Sequence, residues 1–147
     1  MLYLGHVVDA AGVSPDPAKL CVLSTWPVPE TVSDVQSFLG FINFYGEFIH
    51  NSTHLTAPLY SLTVGKKGTN KVSLNADELA IFQSLKRALC SGPQLAHPDR
   101  SKQFVVHTDA SKYAVGAVLL QRSDDGIESP IFILEEASVP TAELLDV

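Results

Sequence analysis

Apolar positions recur three and four residues apart through the middle of the chain and alternate after about residue 92, so the pattern changes from helical to extended at that point. The N-terminal stretch YLGHVVDAAGV also alternates, into a turn, and predicts a β-hairpin with a strand over residues 3–8 and a turn over 9–12. Ser14 before PDPAKLCVLSTWP supplies a cap residue with proline in the first turn, and Pro27 ends the short helix expected over residues 16–25. Thr31 stands three residues before Asp34, a capping-box spacing. It opens VQSFLGFINFYGEFI, where Val35, Phe38, Leu39, Ile42, Phe44, Tyr45 and Phe48 recur at helical spacing. Ser52 or Thr53 caps a further short helix constrained by Pro58, and VGKKGTN reads as a flexible surface loop. Asn75 with Glu78 begins the most regular helix, whose Leu79, Phe82, Leu85 and Leu89 share one face.

Beyond SGPQLAHPDRSK, QFVVHTD and YAVGAVLLQ read as two strands, RSDDGIE as a hairpin turn, SPIFILEE as a third strand, and a helix starts near Thr141. The expected class is α+β, a hairpin and helical segment followed by a three-stranded antiparallel meander and a helix start, with a boundary near residue 92. Both ends of the sequence fall within patterned segments, the expectation being a cut from a larger protein.

Composition narrows the function. A hydrophobic content of 46 % over 147 residues suits one domain or two small units sharing a core. The longest apolar runs fall far short of the roughly 20 residues that span a bilayer, so no membrane partner and an intracellular location, cytoplasm or nucleus, are expected. Ten Lys and Arg against sixteen Asp and Glu give a net charge of −6, which argues against strong phosphate-backbone binding by this chain alone. Cys21 and Cys90 lack metal-ligand spacing and read as reduced thiols. The five histidines share no zinc-ligand spacing either. The aromatic residues around 26–48 read as core rather than a base-stacking platform. Lys66, Lys67 and Lys71 are the remaining basic cluster, either solubilising or in contact with nucleic acid. Asp109 ends the first strand of the meander; from spacing alone it either caps the turn through the backbone or places one oxygen ligand on a divalent metal.

Several separate motifs, Leu4-Gly5-His6, Trp26-Pro27, Phe38-Leu39-Gly40 and Thr108-Asp109-Ala110-Ser111, resemble in order and spacing the pol polyprotein of gypsy-like LTR retrotransposons, over nearly the whole chain. The resemblance implies a reverse transcriptase segment (palm end, thumb and connection) over residues 1–92 and a partial ribonuclease H-like domain over 93–147. It implies Asp109 as the first acidic metal ligand and Glu143, in TAELLDV, as the second; a helix-surface glutamate accounts for Glu143 equally well. Two Mg²⁺ or Mn²⁺ ions held by such carboxylates would serve cleavage of RNA in an RNA–DNA hybrid, read through 2′-hydroxyl and phosphate contacts. Partners so implied are a template-primer or hybrid and the rest of the polyprotein. The family's two later nuclease aspartates and its paired polymerase aspartates are not in this sequence, so the chain alone is expected to be inactive. FYGEFIH carries Gly46 and Glu47 where relatives commonly have two arginines. A degenerate structural or protein-interaction module is therefore the alternative.

Overall fold

The computed structural model describes residues 1–49, 51–92, 94–110 and 114–137. In chain order it runs β1 (Leu2–Tyr3), β2 (His6–Val8), β3 (Val13–Pro15), α1 (Pro17–Ser24), α2 (Val32–Phe44), a 3-10 turn (Gly46–Phe48), α3 (Ser52–Ser61), α4 (Ala76–Cys90), β4 (Phe104–Ala110), β5 (Ala114–Arg122) and β6 (Glu128–Ala137). Two antiparallel sheets, β1-β2-β3 and β4-β5-β6, each follow sequence order. The class is α+β, as expected. The helix start near Thr141 lies outside the described residues.

Local chemistry explains where the elements depart from the sequence pattern. The single strand expected over 3–8 is broken by a two-residue turn in which Leu4 (φ 47°) and Gly5 (φ 81°) are both left-handed, the backbone sense that matches strand twist in a tight hairpin. The N-terminal hairpin is therefore a three-stranded meander. Asp16, not Ser14, caps α1, its carboxylate accepting from the Ala18 N–H (2.9 Å), because Ser14 is committed to the β2–β3 ladder opposite Val7. Both capping boxes form: Thr31 with Asp34 opens α2, and Asn75 with Glu78 opens α4. α3 is instead capped by Asn51, at φ 58° and without a side-chain cap bond.

The aromatic helix stops at Phe44, and Gly46 starts the 3-10 turn. Tyr45 and Phe48 still point into the core, whereas Phe44 is 55 % exposed, a correction to its expected place on the apolar face. Leu79 in the first turn of α4 is exposed as well, while Phe82, Leu85 and Leu89 are buried as their spacing predicts. The core is built on Phe38, Ile42, Phe48 and Phe82, with Phe38 and Phe82 rings 4.5 Å apart. Leu95 and Ile133 belong to this same cluster, with Val118 packed against it, so the apolar core continues past residue 92. The β4–β6 sheet thus rests on the helices through β6, which touches α3 and the 3-10 turn.

Candidate metal and nucleic-acid site

Alternation along β4 and its register fix where Asp109 stands. Directly opposed residues share a sheet face, and Asp109 pairs with Gly116 while His107 pairs with Val118, itself opposite Ile133. Asp109 therefore lies on the face that carries Val118 and Ile133 toward the helices, but beyond the covered part, and is exposed. Gly116 opposite it has no side chain, which leaves the space above the β5 backbone open. The result is a cleft of about 420 Å³ lined by His107, Thr108, Asp109, Gly116, Val118 and Ile133, among others. Register also sets Glu135 opposite Gly116, in the same cross-strand row as Asp109. Composition of the sequence gave no hint of that row; only the pairing of three strands creates it.

Residues around the cleft supply one charged pair besides. Glu128 accepts from Arg122 Nη2 (2.6 Å) and lies 3.8 Å from His107 Nε2. The hydrogen bond from Arg122, then the charges of Arg122 and His107, hold the Glu128 carboxyl below its usual range. This pair is committed to itself and offers no free oxygen set.

A hard cation such as Mg²⁺ needs near-octahedral coordination, roughly six oxygens. No three His, Cys, Asp or Glu side chains come together among the described residues, so Asp109 is a single candidate ligand and not an assembled site. The described part of the chain does not by itself fit the ion. Glu143, the second expected ligand, lies outside the described residues.

Lys66, Lys67 and Lys71 are all exposed, but their loop is anchored and not free. Val32 N–H donates to Asn70 O and Ser33 N–H to Gly68 O (both 2.9 Å), Val72 N–H donates to Glu30 O (2.9 Å), and Thr31 bridges Lys71. The loop carbonyls thus take N–H groups that a helix start leaves open, so the lysines, and not the helix N-terminus, are what this corner can present to a phosphate. The structure brings the three lysines onto one pinned loop and does not bring them to Asp109's cleft, whose lining they do not share.

His6 packs into the fold as a structural residue. Its ring lies among Phe44, Tyr45 and Phe48, at centroid separations of 5.4, 5.4 and 5.7 Å, with Nε2 3.3 Å from Glu47 Oε1. Glu47, read from the sequence only as a missing positive charge, is therefore a partner of the N-terminal sheet. Tyr45 ties the same corner, its hydroxyl donating to Gly5 O (2.9 Å). No helix among the described residues is long and apolar enough to cross a membrane.

Comparison with known proteins gives this geometry its setting. Residues 74–141 match the family model described as the RNase H-like domain found in reverse transcriptase. The chain is 37 % identical over 149 residues to the retrovirus-related Pol polyprotein from transposon opus of Drosophila melanogaster, covering 96 % of the chain and 15 % of that protein. The corresponding polyprotein from Drosophila transposon 297 is 35 % identical over 119 residues, covering 81 % of the chain and 11 % of the relative. The Tf2-3 polyprotein of Schizosaccharomyces pombe is 31 % identical over 129 residues, covering 88 % of the chain and 10 % of the relative. The chain thus spans only a small part of the relatives it matches. In fold, it resembles the foamy viral protease-reverse transcriptase solved with dsDNA (TM-score 0.77, 23 % identity, 96 % of this chain and 29 % of that one) and with RNA/DNA hybrid (TM-score 0.75, 23 % identity, 96 % and 19 %). With an RNase H-like match that begins just before α4 and runs past β6, and Pol relatives aligned along nearly its whole length, the chain belongs to the retrotransposon Pol family as a reverse transcriptase/RNase H-like segment.

Proposed function

We propose that this segment serves RNA-directed DNA synthesis coupled to cleavage of RNA in RNA–DNA hybrids, as part of a longer polyprotein acting inside the cell. Residues 1–92 form the reverse transcriptase side, ending in the connection, and residues 93–147 the nuclease side. Asp109 contributes one ligand to a Mg²⁺ or Mn²⁺ site, with Glu143 as a further ligand, and Lys66, Lys67 and Lys71 meet nucleic-acid phosphate. The single observation that carries the nuclease reading is the exposed carboxylate of Asp109 in an open cleft, at the end of β4 and opposite a glycine. A carboxylate serving only as a turn cap would need no such space over its neighbouring strand. Residues of this chain thus place a carboxylate and leave room beside it; the divalent ion, when bound, supplies the Lewis acidity that phosphodiester cleavage requires.

The test uses the chain continued through its downstream reading frame. Cleavage of an RNA–DNA hybrid dependent on Mg²⁺ or Mn²⁺ is expected, and Asp109→Asn should reduce it by at least about 100-fold with little change in melting temperature, because the side chain is exposed. Cleavage retained in Asp109→Asn would remove Asp109 from the site. No cleavage by the extended protein would favour a retroelement-derived interaction module without catalysis, the reading that the net charge of −6 and the Glu47–His6 contact support.

A further inference from the structure

The segment between α4 and β4 is bonded on both sides. Leu95 exchanges two backbone hydrogen bonds with Val13, donating to Val13 O (2.9 Å) and accepting from Val13 N (2.7 Å). The next residue turns the other way: Ala96 N–H donates to Pro130 O on β6 (2.8 Å). In extended chain, successive backbone groups point to opposite sides, so two residues suffice to join two sheets. Further along, the Asp99 N–H donates to Gln121 Oε1 (2.8 Å) and the Asp99 carbonyl accepts from Gln121 Nε2 (2.7 Å), and Gln121 is only 5 % exposed.

The N-terminal end of this connection is held by one residue. Asp9 Oδ1 accepts from Ala11 N–H (2.8 Å), Gly12 N–H (3.1 Å) and Gln94 Nε2 (3.1 Å), and the Asp9 carbonyl accepts from His97 Nε2 (2.7 Å). Gly12 is required where it stands. At φ 151°, a Cβ there would lie 2.0 Å from Leu95 O, so any side chain would push the two strands apart.

We propose that the 9–12 turn and residues 94–99 form a clasp that fixes the β4–β6 sheet, and with it Asp109, against the N-terminal sheet, with Asp9 as its positioning residue. The clasp makes one mechanical unit of two parts that the sequence pattern divides. It rests on backbone geometry and not on the metal reading of Asp109. The charged and titratable groups near Asp9 are the Met1 ammonium, which donates to Val8 O (2.6 Å), and His97. The N–H groups of Ala11 and Gly12 hold the Asp9 carboxyl below its usual range. Its contribution is complete above the ordinary Asp value of about 3.9 and is lost as pH falls through the lower folded value.

Amide hydrogen exchange on the 147-residue chain tests this. Asp9→Ala and Gly12→Ala should each raise exchange at Ala96 by about tenfold, while Phe82 and Leu85 in α4 keep their protection. Ala96 is decisive because its bond goes to Pro130 and not to the turn. Asp9→Asn retains an oxygen acceptor, so it should stay within about threefold of wild type and lose the acid dependence of Ala96 protection relative to the intrinsic exchange rate. If only Ala11, Gly12 and Leu95 respond, or if α4 opens to the same extent, the clasp is overturned. Measured in the absence of divalent metal, the exchange rates report on the clasp alone, so either result leaves the proposal on Asp109 to its own test.

Discussion

Single carboxylates do most of the electrostatic work here, and they do it at element ends. Asp34 is held below its usual range first by the Thr31 hydroxyl, then by the Thr31 and Glu30 N–H groups. Asp99 is shifted the same way, by the Ser101 hydroxyl and N–H. A lowered folded value means the unfolded chain binds more protons in acid, so these groups stabilise above the ordinary Asp range and lose that contribution as pH falls through their folded values. Asp34→Asn keeps an acceptor for the Thr31 N–H but cannot titrate. Urea unfolding at a series of pH values from 6 to 3 should therefore show a shallower loss of stability in Asp34→Asn than in wild type; identical slopes would remove Asp34 from the acid response. The Thr31–Asp34 and Asn75–Glu78 caps were legible because a capping box is written in four consecutive residues. The α1 cap was not, since Ser14 and Asp16 are both competent, and pairing of Ser14 with Val7 decided between them.

Elements form where local and tertiary preferences agree and end where a backbone-permissive residue lets them. In α2, Gly40 is exposed and a Cβ there would meet nothing within 4 Å. Its helical backbone has no need of glycine, so Gly40→Ala should raise stability by about 1 kcal/mol, read as an upward shift in thermal midpoint. A drop instead would show that the helix is constrained there in a way its surroundings do not reveal. Gly12 is the opposite case, a glycine fixed by contact with the backbone of Leu95, far away in sequence. Nothing in the residues that flank Gly12 or Gly40 separates these two kinds of glycine. The same limit explains the strand over 3–8: alternation continues through Leu4 and Gly5, but their left-handed backbone turns the chain back and yields β1 and β2. The apolar spacing predicts burial of Phe38, Ile42 and Tyr45 correctly, yet Phe44, the last residue of α2, is left exposed.

For the whole molecule, an acidic chain carries three exposed lysines, Lys66, Lys67 and Lys71, on a loop stapled beside α2. Under the proposed function, replacing Lys66 and Lys67 together by Gln should weaken hybrid binding and flatten the dependence of log affinity on log salt by about 1.4–1.8, two contacts at roughly 0.7–0.9 each. Binding by fluorescence anisotropy across salt concentrations measures that slope, and an unchanged slope would assign the lysines to solubility alone. The sequence by itself determined the helices, the Thr31 and Asn75 caps, the three strands of the later sheet, the α+β class and the motifs of the retrotransposon Pol family, because periods, cap spacings and motifs are local and survive without contacts. Tertiary structure alone decided that Leu95 and Ile133 join the helical core, that Asp109 faces an open cleft opposite Gly116, that the lysine loop is pinned, and that Asp9 reaches Gln94 and His97. Each of these depends on groups brought together across long stretches of chain, and strand register and packing, which no short window of sequence contains, are what bring them there.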